Sequence, residues 1–429
     1  MNRLAAAIRA FRDPVGLVED AGRQGGLVRL TGGRRPVFVV TSSDLAREVL
    51  ETNADVFLKA AGSRGIARVM GGGLQVSEGE HHRRERALLD PEFVQDRLTG
   101  YAATVEWAMT RGTASWRDGE VVDVMAAMRG ITTAAILRTL FGDATEPDVR
   151  QLTGDVTLLA TGLWRAVVPG SAALERTFLP GFRRFRLARG RIDAYVAEAI
   201  RRRRSSDDPP RDLLTAMLHA RHGGAAMSDR DARDEVISLL LAGRGTITAG
   251  LAWTWLLVGT HPDVADRLHE EVDAVVGDRA APAAADADRL PFTAAVWDEA
   301  LRVDPPAWIL RRKAAGDATV GGTAVPAGST VLVNVFGLHR DATRYPDPAA
   351  FDPGRFLGTD PPGPYGYLPF GAGPRGCIGF DFATMEAILL IAAIARRWRL
   401  VPVGAVPPRY ARSITLRPRR PLGMRLAAR

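Results

Sequence analysis

One glycine-rich run near the end of the chain constrains the fold more than any other segment: Phe370-Gly371-Ala372-Gly373-Pro374-Arg375-Gly376-Cys377-Ile378-Gly379. It carries the only cysteine among 429 residues. Glycines accept positive φ and let a backbone approach a flat ligand closely. A helix-periodic apolar stretch follows, so a tight loop delivers the cysteine to the start of a helix. Backbone N–H groups and a helix N-terminus both favour a thiolate there. Arg375, two residues earlier, can pair with an anionic group.

The lone cysteine excludes internal disulfides and multi-cysteine metal sites. The net charge of +8 rests on arginine, since Lys59 and Lys313 are the only lysines. No zinc spacing, RNA-binding aromatic pattern or dense basic tail accompanies that charge, so nucleic acid is not an expected partner. No run reaches the roughly 18 apolar residues of a membrane span. The best candidate, Leu239 to Val258, is interrupted by Arg244. The first residues lack an apolar region followed by a cleavage site. A monomer in the cytoplasm, with no membrane attachment, is expected.

Periodicity predicts helices over Ile192 to Arg204, Asp231 to Leu257, His261 to Val275 and Thr293 to Val303. A last helix is expected from just after Cys377 to about Trp398. Two β-rich runs between Leu27 and Val40 flank Gly32-Gly33 as a hairpin, and Val320 to Val335 reads as short strands. The loops Ser205 to Arg211, Gly277 to Asp288 and Gly358 to Tyr367 read as connections within one domain. The expected fold is mainly α with a small β portion. It is a single domain over 1–429, with β-rich segments at about 27–42 and 310–360 packed on the helical part.

The loop around Cys377 resembles the haem-binding signature of the cytochrome P450 family at Phe370, Gly371, Gly373, Arg375, Cys377 and Gly379. Ala383 fits as a small residue on the following helix. Two further motifs carry the resemblance. Glu299-Ala300-Leu301-Arg302 places an acid and an arginine three apart, on one helix face. Phe351-Asp352-Pro353-Gly354-Arg355-Phe356 supplies a downstream arginine. The resemblance implies the cytochrome P450 fold and haem b with its iron held by Cys377. A thiolate pushes electron density onto iron and favours O–O cleavage. It also implies a structural Glu299–Arg302–Arg355 network that locks the cysteine loop. His82 and Arg86, four apart, are expected to project together toward the haem propionates. Arg312 and Arg375 are expected to join them, although Arg311 could replace Arg312. Arg83 and Arg84 are expected to face solvent or a partner.

The chain departs from the family at Ala242-Gly243-Arg244-Gly245-Thr246. The family places a carboxylate before the hydroxyl residue, and here Gly245 holds that position before Thr246. Ala242 is expected against the haem. Thr246 can bond back to a carbonyl one turn earlier and open the helix. In the family the acid and hydroxyl relay protons to dioxygen, general acid catalysis worth about 10²–10⁴ in rate. Another acid, water or the substrate could fill the gap. Alternatively the enzyme uses peroxide, or runs a reaction without dioxygen scission. A non-catalytic haem-binding module is the rival from another class. Arg244 stays protonated and is a poor acid. It could bind an anionic substrate or point away from the haem.

Following the family's arrangement, Ile66, Val69, Met70, Trp164, Arg244, Trp308 and Ile309 are candidate substrate contacts. Core packing is the competing reading for Trp164 and Trp308. The expected reaction is monooxygenation, such as hydroxylation, of an apolar small molecule in natural-product biosynthesis. No fused reductase domain is expected, so a ferredoxin and ferredoxin reductase are the expected electron donors. Arg83, Arg84 and Arg375 would suit an acidic ferredoxin.

Overall fold

Alternating burial builds the strands near the start of the chain, and turn residues set where they end. β1 (Leu27–Thr31) and β2 (Val37–Val40) form the expected antiparallel hairpin, with Val28 opposite Val39. The two-residue β3 (Phe57–Leu58) and β4 (Val121–Asp123) follow. The later strands are β5 (Leu310–Ala314), β6 (Ala318–Val320), β7 (Thr323–Val325) and β8 (Thr330–Val333). β9 (Trp398–Pro402) and β10 (Gly423–Ala428) come last. The computed structural model describes residues 9, 12–59, 64–94, 97, 99–167, 171–175, 177, 179–279, 281–358, 363, 365–404, 410–411 and 415–429.

Packing divides the chain into two compact units. The first holds Met1–Lys59, Thr113–Met128 and Thr246–Arg429, and the second holds Ala60–Gly112 and Arg129–Gly245. All ten strands above lie in the first. Its larger sheet has the order β1-β2-β8-β5-β3, with β2 and β8 parallel. Val331 and Val333 of β8 point into a core with Phe38, Val40, Leu50, Phe57 and Leu368. Helix α1 (Pro14–Gln24) starts with Pro14 at its first turn, capped by the Asp13 carboxylate.

The second unit is almost wholly helical. Its helices include α2 (Arg64–Met70), α3 (Gly79–Leu89), α4 (Val124–Leu140), α5 (Glu146–Gly162), α6 (Trp164–Val167) and α7 (Pro180–Ser205). Of α4, the turns from Arg129 onward belong to it. A reciprocal cap between Thr145 and Asp148 fixes the start of α5. Helix α8 (Asp229–Thr260) runs through the boundary between the units, at Gly245 and Thr246. Among the described residues it is the one helix long and apolar enough to cross a membrane. Two-thirds of its apolar window is buried (67%), as for a core helix.

The first unit continues with α9 (Pro262–Val276), α10 (Pro291–Val303) and α11 (Phe380–Ala395). Residues Ala387 to Ala395 of α11 are all buried, so this helix is apolar on every side.

Four expectations need correction. Residues 340–358 hold no strand; they are turns and a short 3₁₀ segment, Pro353–Phe356. A second sheet, ordered β9-β10-β4, was not foreseen. Its strands are short and far apart in sequence, and non-local pairing leaves no local signal. The last helix stops at Ala395, and Trp398 opens β9 instead. Ala284–Arg289, read as loop, is a 3₁₀ helix.

Candidate active site at Cys377

Glycine conformations shape the cysteine loop. Gly371 and Gly373 take φ of 70° and 68°, the left-handed region that glycine enters at no steric cost. Gly373 then opens a 3₁₀ turn to Arg375. Cys377 N–H donates to the Phe370 carbonyl at 2.9 Å and closes the loop. Cys377 is left exposed. Helix α11 begins at Phe380 with Gly379 as its cap, three residues after the cysteine. The helix dipole therefore acts on Cys377 more weakly than it would within the first turn. Phe370 packs edge-on against Phe380 at 4.9 Å, and half-buried Ala383 sits one turn into the helix.

The loop is docked tightly. A Cβ on Gly373 would stand 2.1 Å from the Leu50 carbonyl oxygen, in the π-helical turn Glu48–Thr52. Gly373→Ala should therefore lower stability by about 1–3 kcal/mol from backbone strain alone, with the overlap adding to it. Thermal unfolding of the variant reads this directly, and an unchanged midpoint would contradict the docking.

Behind the loop lies a saturated arginine. Arg302 and Glu299 are completely buried and pair bidentately at 2.6 and 2.7 Å. Arg302 donates its remaining hydrogens to the carbonyls of His339 (2.9 Å), Pro348 (2.8 Å) and Ala350 (2.7 Å). All five donors of the guanidinium are thus used. Arg355 approaches Glu299 at 3.4 Å, and the Asp352 N–H donates to the same carboxylate at 2.9 Å. His339 passes the constraint on. Its Nε2 accepts from the Leu368 N–H at 2.7 Å, two residues before Phe370. Burial holds this imidazole neutral, its pKa pushed down to about 3. The expected Glu299–Arg302–Arg355 network is present and connects to the cysteine loop.

Strand alternation separates Arg311 from Arg312. On β5, Arg311 is exposed and Arg312 is buried, donating to the Arg311 carbonyl at 3.1 Å. Arg312 is thus the inward residue. His82 and Arg86 lie four apart on α3 as expected, His82 buried and Arg86 paired with Asp90. Arg84 is not the solvent-facing cation expected. It is half-buried and donates to the Ala226 carbonyl at 3.2 Å. Arg83 is exposed and pairs with Glu80 at 2.8 Å.

Helix α8 keeps α-helical geometry through Ala242–Thr246. Gly243 and Thr246 are exposed and Ala242 and Gly245 half-exposed, in a helix otherwise mostly buried. A Cβ on Gly245 would meet nothing within 4 Å. Arg244 turns inward and donates to the hydroxyls of Thr133 (3.0 Å) and Thr157 (3.0 Å) on α4 and α5. Burial pulls its pKa down to about 10, so it is still a cation at neutral pH.

The cytochrome P450 family model matches residues 17–424. The chain belongs to the cytochrome P450 family. Cyclooctatin synthase of Streptomyces melanosporofaciens is 35% identical over 96% of this chain and 92% of its own. Cyclooctat-9-en-7-ol 5-monooxygenase of the same organism is 33% identical over 93% and 88%. Pentalenene oxygenase of Streptomyces avermitilis is 32% identical over 99% and 95%. The crystal structure of the cytochrome P450DA heme domain superposes with a TM-score of 0.86 at 25% identity, covering 97% of this chain and 93% of that one. The fold is that of the family, and the protein is an oxidoreductase of the monooxygenase type.

A cytochrome P450 implies a haem-thiolate cofactor and electron-donating partners. The residues here fit such a group. An exposed thiol stands on a rigid, glycine-shaped loop, and α8 bares Gly243 and Thr246. The substrate candidates divide. Val69 and Met70 of α2 are buried and Ile66 is half-exposed, with α2 packed beside α6. The Trp164 side chain lies outside what the structure describes. Trp308 is buried with Val15, Val18, Phe336 and Leu416, and Ile309 packs on that cluster. For these two, core packing is the better account.

Sequence reasoning missed Glu386. It is buried on α11, one of its oxygens lacks a hydrogen-bond partner, and burial pushes its carboxyl up to about 8. A lone acid inside an otherwise apolar helix, three residues after Ala383, was the available signal.

Proposed function

We propose that this cytochrome P450 binds haem b through a Cys377 thiolate and hydroxylates an apolar, terpenoid-type small molecule in natural-product biosynthesis. One observation carries the reading: the cysteine loop, fixed by Arg302 and His339, belongs to a chain about one-third identical to a cyclooctat-9-en-7-ol 5-monooxygenase and a pentalenene oxygenase. Bound haem would supply the redox chemistry that activates dioxygen. The protein's own residues do the rest. Arg312, Arg375, His82 and Arg86 are the cations for the two propionates, and Ala242 and Ala383 are small residues for its faces. Thr246, on the bared face of α8, holds and passes a proton at its hydroxyl. The chain acts as one cytoplasmic, monomeric unit. Electrons come from a ferredoxin and its reductase, drawn to exposed cations such as Arg83.

The test is product formation from a panel of cyclic terpenes and terpene alcohols. One arm supplies ferredoxin, reductase, NADPH and dioxygen, and the other supplies peroxide alone. A product one oxygen heavier in the first arm supports the reading. Turnover only with peroxide would replace it with a peroxide-using enzyme. Normal iron reduction with no product from any substrate would favour a binding module.

Gly245 supports keeping the peroxide reading. The acid is missing although a Cβ at this position would meet nothing within 4 Å. Gly245→Glu should therefore fold normally and, in a dioxygen enzyme, raise the fraction of consumed dioxygen that appears as product. The gain is bounded by the roughly 10²–10⁴ that general acids supply. Unchanged or reduced coupling would mean that the glycine belongs to the reaction.

A further inference from the structure

We propose that His81, Glu85 and Asp231 form a divalent-metal site, suited to zinc, within the second unit. His81 and Glu85 are four apart on α3 and project from one face. Asp231 comes from the first turn of α8. One ligand atom from each lies within 4.8 Å of the others, and His81 Nδ1 stands 4.0 Å from Glu85 Oε1. Ligand atoms on one zinc ion stand roughly 3–4 Å apart, given bonds of about 2.0–2.2 Å. Small side-chain rotations close the difference.

Glu85 is the observation that points to a ligand. Its side chain is only 1% exposed, and neither carboxylate oxygen has a hydrogen-bond partner. The nearest basic groups, Arg84 Nε at 3.9 Å and His81 Nδ1 at 4.0 Å, are beyond hydrogen-bond distance of Glu85, and Arg84 also stands 3.8 Å from Asp231. A buried carboxylate left in this way is strongly disfavoured unless something positive meets it. The neighbouring acids cannot be exchanged for it, because they are already engaged. Asp234 accepts from the Gly72 N–H and from Arg233, both at 2.8 Å. Glu235 accepts from the Leu74 N–H at 2.9 and 3.1 Å.

The surroundings orient the ligands as an outer shell does. His81 Nε2 lies 3.1 Å from the Gly72 carbonyl, which can only accept. The ring proton therefore sits on Nε2, leaving the Nδ1 lone pair toward Glu85, the tautomer a metal needs. Ser228 donates to Asp231 at 2.7 Å. One imidazole and two carboxylates form a borderline set that suits zinc. His81 and Asp231 side chains are 42% and 23% exposed, so an ion can enter and keep a water. An ion there would tie α3, which carries His82 and Arg86, to the first turn of α8.

The test uses tag-free, haem-loaded protein treated with EDTA and titrated with ZnCl₂ by calorimetry. One equivalent should bind. Glu85→Gln and His81→Asn should each weaken that equivalent by at least the roughly 10–100-fold that even an outer-shell loss costs. His219→Asn, an exposed histidine elsewhere, should leave it unchanged. Circular dichroism and haem content establish that each variant is folded, and His81 is exposed enough for His81→Asn to fold even if Glu85→Gln does not. Absence of a one-equivalent site, or equal affinity in either ligand variant, overturns the proposal.

Discussion

Replacing Arg302 with alanine should destabilise the first unit by about 3–5 kcal/mol, the usual result of removing one partner of a buried ion pair. Glu299 would be left charged in a completely buried position, with only Arg355 at 3.4 Å and the Asp352 N–H to meet it. Three carbonyls, of His339, Pro348 and Ala350, would lose their donor at the same time. Arg302→Lys should recover little, because an ammonium has three donors and no planar fork. The measurement is chemical denaturation of both variants together with haem retention. A loss under about 0.5 kcal/mol, the range of an ordinary surface change, would show that the network is not what fixes the cysteine loop.

Replacing Cys377 should do the reverse: activity disappears while the fold stays. The bond that closes the loop uses the Cys377 backbone N–H, which alanine keeps. Cys377→Ala should therefore still fold, as circular dichroism would show. The reduced carbon monoxide complex should lose its red-shifted, thiolate-type band, and product formation should stop. Persistence of that band would disprove the axial assignment.

Legibility in the sequence followed the range of the interactions. The helices over 180–205, 229–260 and 291–303 contain the expected ones, and 262–276 lies one residue later than expected, because helical periodicity is local. The hairpin at Gly32-Gly33 and the glycine loop at Cys377 were readable for the same reason. Arg302 was readable only as one half of a motif. Its three carbonyl partners left no trace, since every residue has a carbonyl. In the sheet β9-β10-β4, β10 pairs with β4 about 300 residues earlier in the chain, and nothing local records that. Trp308 shows the limit on the substrate side. A tryptophan beside the haem region and a tryptophan in a core cluster look alike until Val15 and Leu416 are seen against it.

The acceptors of Arg302 have a consequence for how this chain can vary. They are backbone carbonyls, so the guanidinium does not read the side chains at 339, 348 and 350. It measures how far apart those positions are. Apart from His339, whose ring holds the Leu368 N–H, and buried Tyr345, which lies against the guanidinium and donates to the Gly366 carbonyl, that stretch can change its residues and keep the cysteine in place, provided its length is kept. One inserted or deleted residue would put a carbonyl out of reach. The segment therefore behaves like a strap with fixed eyelets, tolerant of new material and intolerant of a new length.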